Sequence, residues 1–255
     1  MSRSLLFLLL ALALMACQSP DQRAAPAPNP PAPGFNLEAS DPEAIAIADQ
    51  VMAAVGGRPA WDRTRYLRWT FFGLRHLIWD RYAQRVRIEV PTDSLVYLLH
   101  YGGQPRARTF RNGVEYTEPD SILKYTEQAR RIWINDSYWL VMPFKLKDSG
   151  VTLRYLGPDS IGTDGVVACD QLMLTFEGVG VTPQNKYHVW VSQSEHLVRQ
   201  WAYFAQATDT EPRFTLPWLD YQPYGEVLLS GDRGARKLTD IAAPARLPDA
   251  VFTEL

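Results

Sequence analysis

Between Leu67 and Val90 apolar and polar residues alternate with a period of two. Leu67, Trp69 and Phe71 are separated by Arg68 and Thr70, Leu77 and Trp79 flank Ile78, and Val86, Ile88 and Val90 alternate with Arg85, Arg87 and Glu89. Side chains of a strand point to opposite faces in turn, so this rhythm predicts antiparallel strands with one buried face. Ser94–Tyr101 is apolar on both faces and predicts a more deeply buried strand. Asn112-Gly113 and Asp164-Gly165 are two-residue hairpin signals, because both residue types accept the positive φ that a type I′ turn requires. Further strands are predicted over Val151–Leu156, Val167–Glu177, Lys186–Val191, Leu197–Phe204, Gly225–Leu229 and Arg236–Ile241, with Ser230–Gly234 as a loop.

Two stretches carry helical spacing instead. In SDPEAIAIADQVMAAVGG, Ser40 or Asp41 can cap, Pro42 suits the first turn, and Ile45, Ala48, Met52 and Val55 form one stripe before Gly56-Gly57. From Ser121 to Ile134, Ile122, Tyr125, Ala129 and Trp133 recur every three or four residues, with Asp120 as the expected N-cap. The polar group Asn135-Asp136-Ser137 then reads as a turn closing this helix. Tyr138–Leu146 reads as the next strand, with Pro143 at an edge or bulge. The expected class is mainly β (α+β).

The N-terminus changes the picture of where such a domain resides. MSRSLLFLLLALALMAC has Arg3, an apolar run from Leu5 to Ala16, and then Cys17. The run is shorter than the roughly 20 residues of a bilayer span, so residues 1–16 read as a cleaved signal peptide. Leu14-Met15-Ala16-Cys17 resembles a bacterial lipobox, which implies lipid attachment at Cys17. Gln18 lacks the aspartate associated with inner-membrane retention, so an outer-membrane anchor facing the periplasm is expected. Residues 17–36 contain AAPAPNPPAPG, an extended, semi-rigid tether, and residues 37–255 form the folded domain. With Cys17 given to lipid, Cys169 has no partner and reads as a buried, inert thiol.

Charge and motifs narrow the chemistry. The chain carries a net charge of −2, and losing residues 1–16 with Arg3 leaves −3. No basic stripe is present, so nucleic acid is not an expected partner. GxSxG, HExxH, CxxC, P-loop and GxGxxG patterns are all absent. Asp136 or Ser137 could meet one of His76, His100, His188 or His196 in space, but any chain with four histidines permits that. His188 and His196 are expected on opposite arms of one hairpin as ordinary strand-edge residues. No enzyme, metal or cofactor is therefore expected. What is abundant is aromatic surface: the eight tryptophans all lie between Trp61 and Trp218. They can fill a core or line a cavity.

Four segments carry a family resemblance. VWVSQSEHLVRQW (Val189–Trp201) resembles the strand, polar turn and Leu-Val-x-x-Trp hairpin of the LolA/LolB-like lipoprotein-carrier superfamily. LPDAVF (Leu247–Phe252) resembles the closing segment of several members. The start DPEAIAIADQVM and the core INDSYWLVMPFKL resemble uncharacterised outer-membrane lipoproteins. The resemblance implies a half-open antiparallel β-barrel with helices covering a concave apolar face that accepts acyl chains. A protruding apolar loop for delivering cargo is not identifiable here. The expectation is a monomeric, membrane-tethered, non-enzymatic protein binding a lipid, a lipoprotein acyl chain or another apolar ligand. The expected cavity residues are Trp69, Phe71 and Trp79 on the first strands, Tyr97 and Leu99 on the fourth, and Trp139 after the helix. Leu172, Leu174, Val189 and Trp201 complete the set on the later strands. The competing expectation is a structural or interaction subunit of an envelope complex, with the same fold and a filled core.

Overall fold

The computed structural model describes residues 29–162 and 166–255. Cys17, the signal peptide, most of the tether and the Asp164-Gly165 turn lie outside them. Helix α1 (Pro42–Ala54) is followed by the short α2 (Gly57–Arg63). Six strands come next: β1 (Tyr66–Phe71), β2 (Arg75–Asp80), β3 (Arg85–Val90), β4 (Leu95–His100), β5 (Arg106–Arg111) and β6 (Val114–Glu115). Helix α3 (Pro119–Val141) then leads to β7 (Val151–Ile161), β8 (Val167–Phe176), β9 (Lys186–Ser192), β10 (Val198–Phe204) and β11 (Phe214–Pro217). The chain closes with β12 (Leu219–Tyr224), β13 (Val227–Arg233), β14 (Arg236–Ala242) and the single turn α4 (Ala250–Thr253).

These strands form two antiparallel sheets. The larger has the order β12-β13-β14-β1-β2-β3-β4-β5-β6, and the smaller β11-β10-β9-β8-β7. The last three strands thus return to pair with β1, and α3 with the whole small sheet is an excursion between β6 and β12. Among the described residues neither sheet closes on itself. The open edge of β7 is covered by the chain before α1: Asn36 N–H donates to Val151 O, Asp41 N–H to Leu153 O, and the Ser40 hydroxyl accepts from Leu153 N–H. A covered edge cannot template pairing with another chain.

The alternating strands fold as their pattern requires. In β3, Val86 and Ile88 are buried while Arg85 and Arg87 face outward. Asn112 and Gly113 take φ values of 51° and 81°, the type I′ hairpin geometry. Gly56 ends α1 because it must: its φ is 117°, and a Cβ there would stand 2.4 Å from Glu226 O. Asp41 occupies the N-cap position of α1 but does not cap it. Its carboxylate instead accepts from Tyr155 N–H and Arg154, at 2.9 and 2.8 Å, and ties the helix to β7.

The centre of the chain departs from expectation. Asn135-Asp136-Ser137 is not a turn, and Tyr138–Leu146 is not a strand. Helix α3 runs through both to Val141, and a 3-10 turn, Met142–Lys145, carries Pro143. Polar residues weaken a helix when their side chains compete for its backbone. Here Asp136 bonds sideways to Arg75 and Asn135, so that competition is removed. Ala129, Trp133, Asp136 and Leu140 continue the helical stripe, and Trp139–Met142 is buried all round, which hides the period from the sequence. At the other end Glu118, not Asp120, holds the N-cap position, and Asp120 sits in the first turn, where its charge suits the helix dipole. Strands β11 and β12, unforeseen in sequence, carry Pro217 and Pro223. Both are edge strands, where a missing N–H is tolerated. The expected loop at Ser230–Gly234 is mostly strand, since Ser230–Arg233 belong to β13.

One buried charge fastens the outer face of the large sheet. Asp80, at the end of β2, is fully buried and accepts from Arg65, Arg85 and the N–H groups of Tyr82 and Ala83. Burial opposes its charge, but Arg65, the Ala83 N–H and Arg85 outweigh it and hold the carboxyl down to about 2. A folded-state value below the unfolded one contributes stability that is present above about pH 4 and lost as pH falls toward 2. The shift is worth about 2 kcal/mol. Asp80→Asn should therefore lower stability by about that amount at pH 7 and show little difference from the parent at pH 2, measured by urea unfolding. A pH-independent difference would contradict the assignment.

Candidate functional site

Helix α3 lies between the two sheets. One side packs on the large sheet: Trp133 stacks on Tyr101 at 3.9 Å between ring centroids, and Tyr125 lies 6.3 Å from Tyr97. The other side meets the small sheet through Tyr138, 5.5 Å from Tyr187, and Trp139, 4.8 Å edge-on from Trp201. The small sheet does not cover all of α3. An open groove of about 770 Å³ runs between the middle of the helix, the end of the small sheet and the loop that joins β8 to β9.

Strand register explains which side chains reach this groove. On the inner face of the small sheet, Leu172, Val189 and Trp201 sit in one cross-strand row, and Leu174, Tyr187, Tyr203 and Phe214 in the next. The first row is buried under Trp139 and closes the core. In the second row Leu174 is buried, while Tyr187, Tyr203 and Phe214 are half-buried and line the groove with Phe176. Tyr203 stacks on Phe214 at 5.1 Å, and Tyr187 stacks on Trp201 at 5.2 Å. The outcome is an aromatic wall with one face against the core and one face free.

The residues expected to line a cavity divide accordingly. Trp79 and Trp139 line the groove. Trp69, Phe71, Tyr97, Leu99, Leu172, Leu174, Val189 and Trp201 lie on the inner sheet faces but are at most 4% exposed, packed in the core. The groove-facing tyrosines were missed although their signal was present. Once the turn at Gln193-Ser194-Glu195 is placed, pairing Val189 with Trp201 also pairs Tyr187 with Tyr203. Nothing in sequence marked Tyr101 or Arg75, and Trp133 stood out only as a member of the helix's apolar stripe.

The polar group that interrupts the aromatic run now has a structural account. Asp136 is fully buried and takes a two-pronged ion pair from Arg75, with Nε and Nη2 at 2.6 and 3.0 Å. Burial pushes its carboxyl up, and Arg75 and Asn135 oppose that shift. The Arg75 guanidinium also lies 4.8 Å over the Phe71 ring. Both Asp136 oxygens are occupied, and no histidine among the described residues lines the groove. His76 bonds Thr70 on the large sheet, His188 packs against Phe204 on the outer face of the small sheet, and His196 sits in the β9–β10 turn rather than on a hairpin arm. Cys169 is buried on that outer face beside Trp190, and burial pushes its thiol up to about 11. Among the described residues no group of three His, Cys, Asp or Glu could hold a metal ion, and no helix is long and apolar enough to cross a membrane.

The chain matches no protein-family model and no curated protein sequence. Among solved structures it is similar to a DUF1329 family protein from Desulfovibrio piger, with 13% identity and a TM-score of 0.44, over 84% of this chain and 98% of that one. It is also similar to a LolA superfamily protein from Nitrosomonas europaea, with 11% identity and a TM-score of 0.39, over 83% of this chain and 97% of that one.

Proposed function

We propose that this protein is a non-catalytic, membrane-tethered binding protein that holds an alkyl chain in the groove between α3 and the small sheet. The observation that carries this reading is the half-buried aromatic row Tyr187, Tyr203 and Phe214, which borders the groove beside a fully packed row. Burying apolar surface yields roughly 25 cal/mol per Å² without directional contacts, so a wall of rings is a sufficient receptor for a chain of methylenes. In this reading the two sheets are the walls of a half-open barrel, and α3 is its cover. Lipidation of Cys17 would hold the domain at the outer membrane through the tether, close to its supply of ligand. The tether supports one further feature: two or more acyl chains are needed for stable attachment, and diacylglycerol on a cysteine meets that need.

Native mass spectrometry of the purified full-length chain, followed by solvent extraction, tests the reading. Discrete co-purifying lipid masses are expected. Phe214→Glu places a charge on the groove wall from an edge strand, so it should lose those masses while keeping the parent near-ultraviolet circular dichroism. A clean protein mass that added phospholipid does not change would sink the proposal in favour of a filled-core interaction subunit.

A further inference from the structure

The groove borders a second cavity of opposite character. This one measures about 390 Å³ and is open to solvent along one side, and Trp79, Tyr101, Lys145 and Asp148 line both spaces. Besides Trp61, Tyr82 and Phe144, the second cavity carries a cluster of charged side chains. Arg58, Arg81, Lys145 and Lys147 face it, against Asp62 and Asp148.

Three of the four cations are already neutralised. Arg58 pairs with Asp62 at 2.7 Å, Lys145 pairs with Asp148, and Lys147 pairs with Asp49 just behind the wall at 2.5 Å. Arg81 is different. Its Nη1 donates to the carbonyl oxygens of Trp61 and Thr64, and its guanidinium lies 3.5 Å over the Trp61 ring and 5.8 Å from the Trp79 ring centroid. No carboxylate pairs with it, and its Nε and Nη2 have no protein acceptor among the described residues. Burial pulls Arg81 down to about 10, against the weaker opposing field of Asp62, which lines the same cavity but forms no salt bridge with it. Beside it the Tyr101 hydroxyl accepts from Trp79 Nε1 at 2.7 Å, and its own proton has no acceptor among the described residues. A guanidinium without a salt bridge thus stands in the second cavity, beside a hydroxyl donor on Tyr101, which lines both the cavity and the groove.

We propose that the ligand is an anionic amphiphile, with its alkyl chain along the aromatic row and its phosphate or carboxylate headgroup held by Arg81 and the Tyr101 hydroxyl, with Lys145 at the rim. This rests on the groove being an alkyl-chain site and adds the headgroup chemistry. A guanidinium offers an oxyanion two parallel N–H donors, and such charge-assisted bonds are stronger than neutral ones. A neutral headgroup gains little from the same position and leaves the cation uncompensated.

Titration of the full-length chain by calorimetry, below micelle-forming concentrations, tests this with dodecyl phosphate, dodecyl maltoside and inorganic phosphate. Dodecyl phosphate should bind at least about tenfold more tightly than dodecyl maltoside, in line with a hydrogen bond to a charged group. That advantage should shrink as salt screens the charges. Arg81→Gln should bring dodecyl phosphate down to the level of dodecyl maltoside. Tyr101→Phe keeps the ring stacked on Trp133, and Lys145→Gln lies at the rim. Each should reduce the advantage severalfold, and they decide the matter if Arg81→Gln does not fold. Equal affinity for the two amphiphiles, or equal weakening of both by Arg81→Gln, overturns the headgroup assignment while leaving the groove intact. If neither amphiphile binds, the alkyl-chain reading itself fails. Inorganic phosphate binding as tightly as dodecyl phosphate would make the site one for free anions and overturn the amphiphile.

Discussion

Arg75→Met should lower the free energy of unfolding by about 3–5 kcal/mol at pH 8, the usual loss when one member of a buried ion pair is removed. The loss arises less from the missing attraction than from the charge left behind. Asp136 is fully buried on α3, and Arg75 is its only cationic partner among the described residues. Its carboxyl already titrates above the ordinary value because burial outweighs that partner. Without Arg75 the folded-state value must rise further. A carboxyl whose folded value lies above its unfolded one destabilises the fold progressively as pH rises through that interval. The gap between Arg75→Met and the parent should therefore widen from pH 5 to pH 8 in urea unfolding. Replacing both residues, Arg75→Met with Asp136→Leu, should recover most of the loss and remove its pH dependence, because no buried charge then remains. A single-variant loss under 1 kcal/mol at pH 8 would show that the pair does not fasten α3 to the large sheet.

Trp201→Ala should cost a similar amount, about 3–5 kcal/mol, as large-to-small changes in a packed core do. Trp201 is 1% exposed and touches three elements at once: Tyr187 at 5.2 Å, Trp139 at 4.8 Å and Trp218 at 5.1 Å. Its removal opens a cavity where α3, the small sheet and the chain before β12 converge. Tyr203, two residues along the same strand and on the same face, should behave in the opposite way. It is half-buried and borders the groove, so Tyr203→Ala should cost less than about 2 kcal/mol while weakening dodecyl phosphate binding by about tenfold or more, from the lost ring surface. Thermal unfolding and calorimetric titration of the two variants together separate core from groove. The distinction fails if Tyr203→Ala is as destabilising as Trp201→Ala, or if it binds the amphiphile as the parent does.

The contrast between these neighbours shows how much of the site could be read from the chain. Period-two alternation picks out Leu172, Leu174, Val189 and Trp201 as apolar strand positions, and the fold packs them on the inner face of the small sheet. Alternation reports only which face a residue takes. It does not report how far along the strand a covering helix extends, and that extent separates Trp201 from Tyr203. The groove wall is set by where α3 stops covering the sheet, a property of the packed elements rather than of either segment.

Asn135-Asp136-Ser137 illustrates the same limit in a helix. Taken alone these residues favour a turn, because each can bond its own backbone. Arg75, sixty-one positions earlier on β2, gives Asp136 a better partner, and the helix continues to Val141. No local pattern contains that contact. Arg81 and Tyr101 belong to the same class: neither sits in a motif, and their significance lies in what surrounds them, two carbonyl oxygens and two indole rings, with no salt bridge to Arg81 among the described residues.

By itself the sequence determined the elements whose causes are local: the alternating strands of both sheets, the Asn112-Gly113 turn, the start and stop of α1, and the absence of recognised catalytic motifs. The tertiary structure alone decided the length of α3, which aromatic row borders the groove, and that Arg81 in the neighbouring cavity has no salt bridge among the described residues. Periodicity and turn chemistry act between residues a few positions apart, whereas burial and charge compensation are sums over neighbours that only the folded chain brings together.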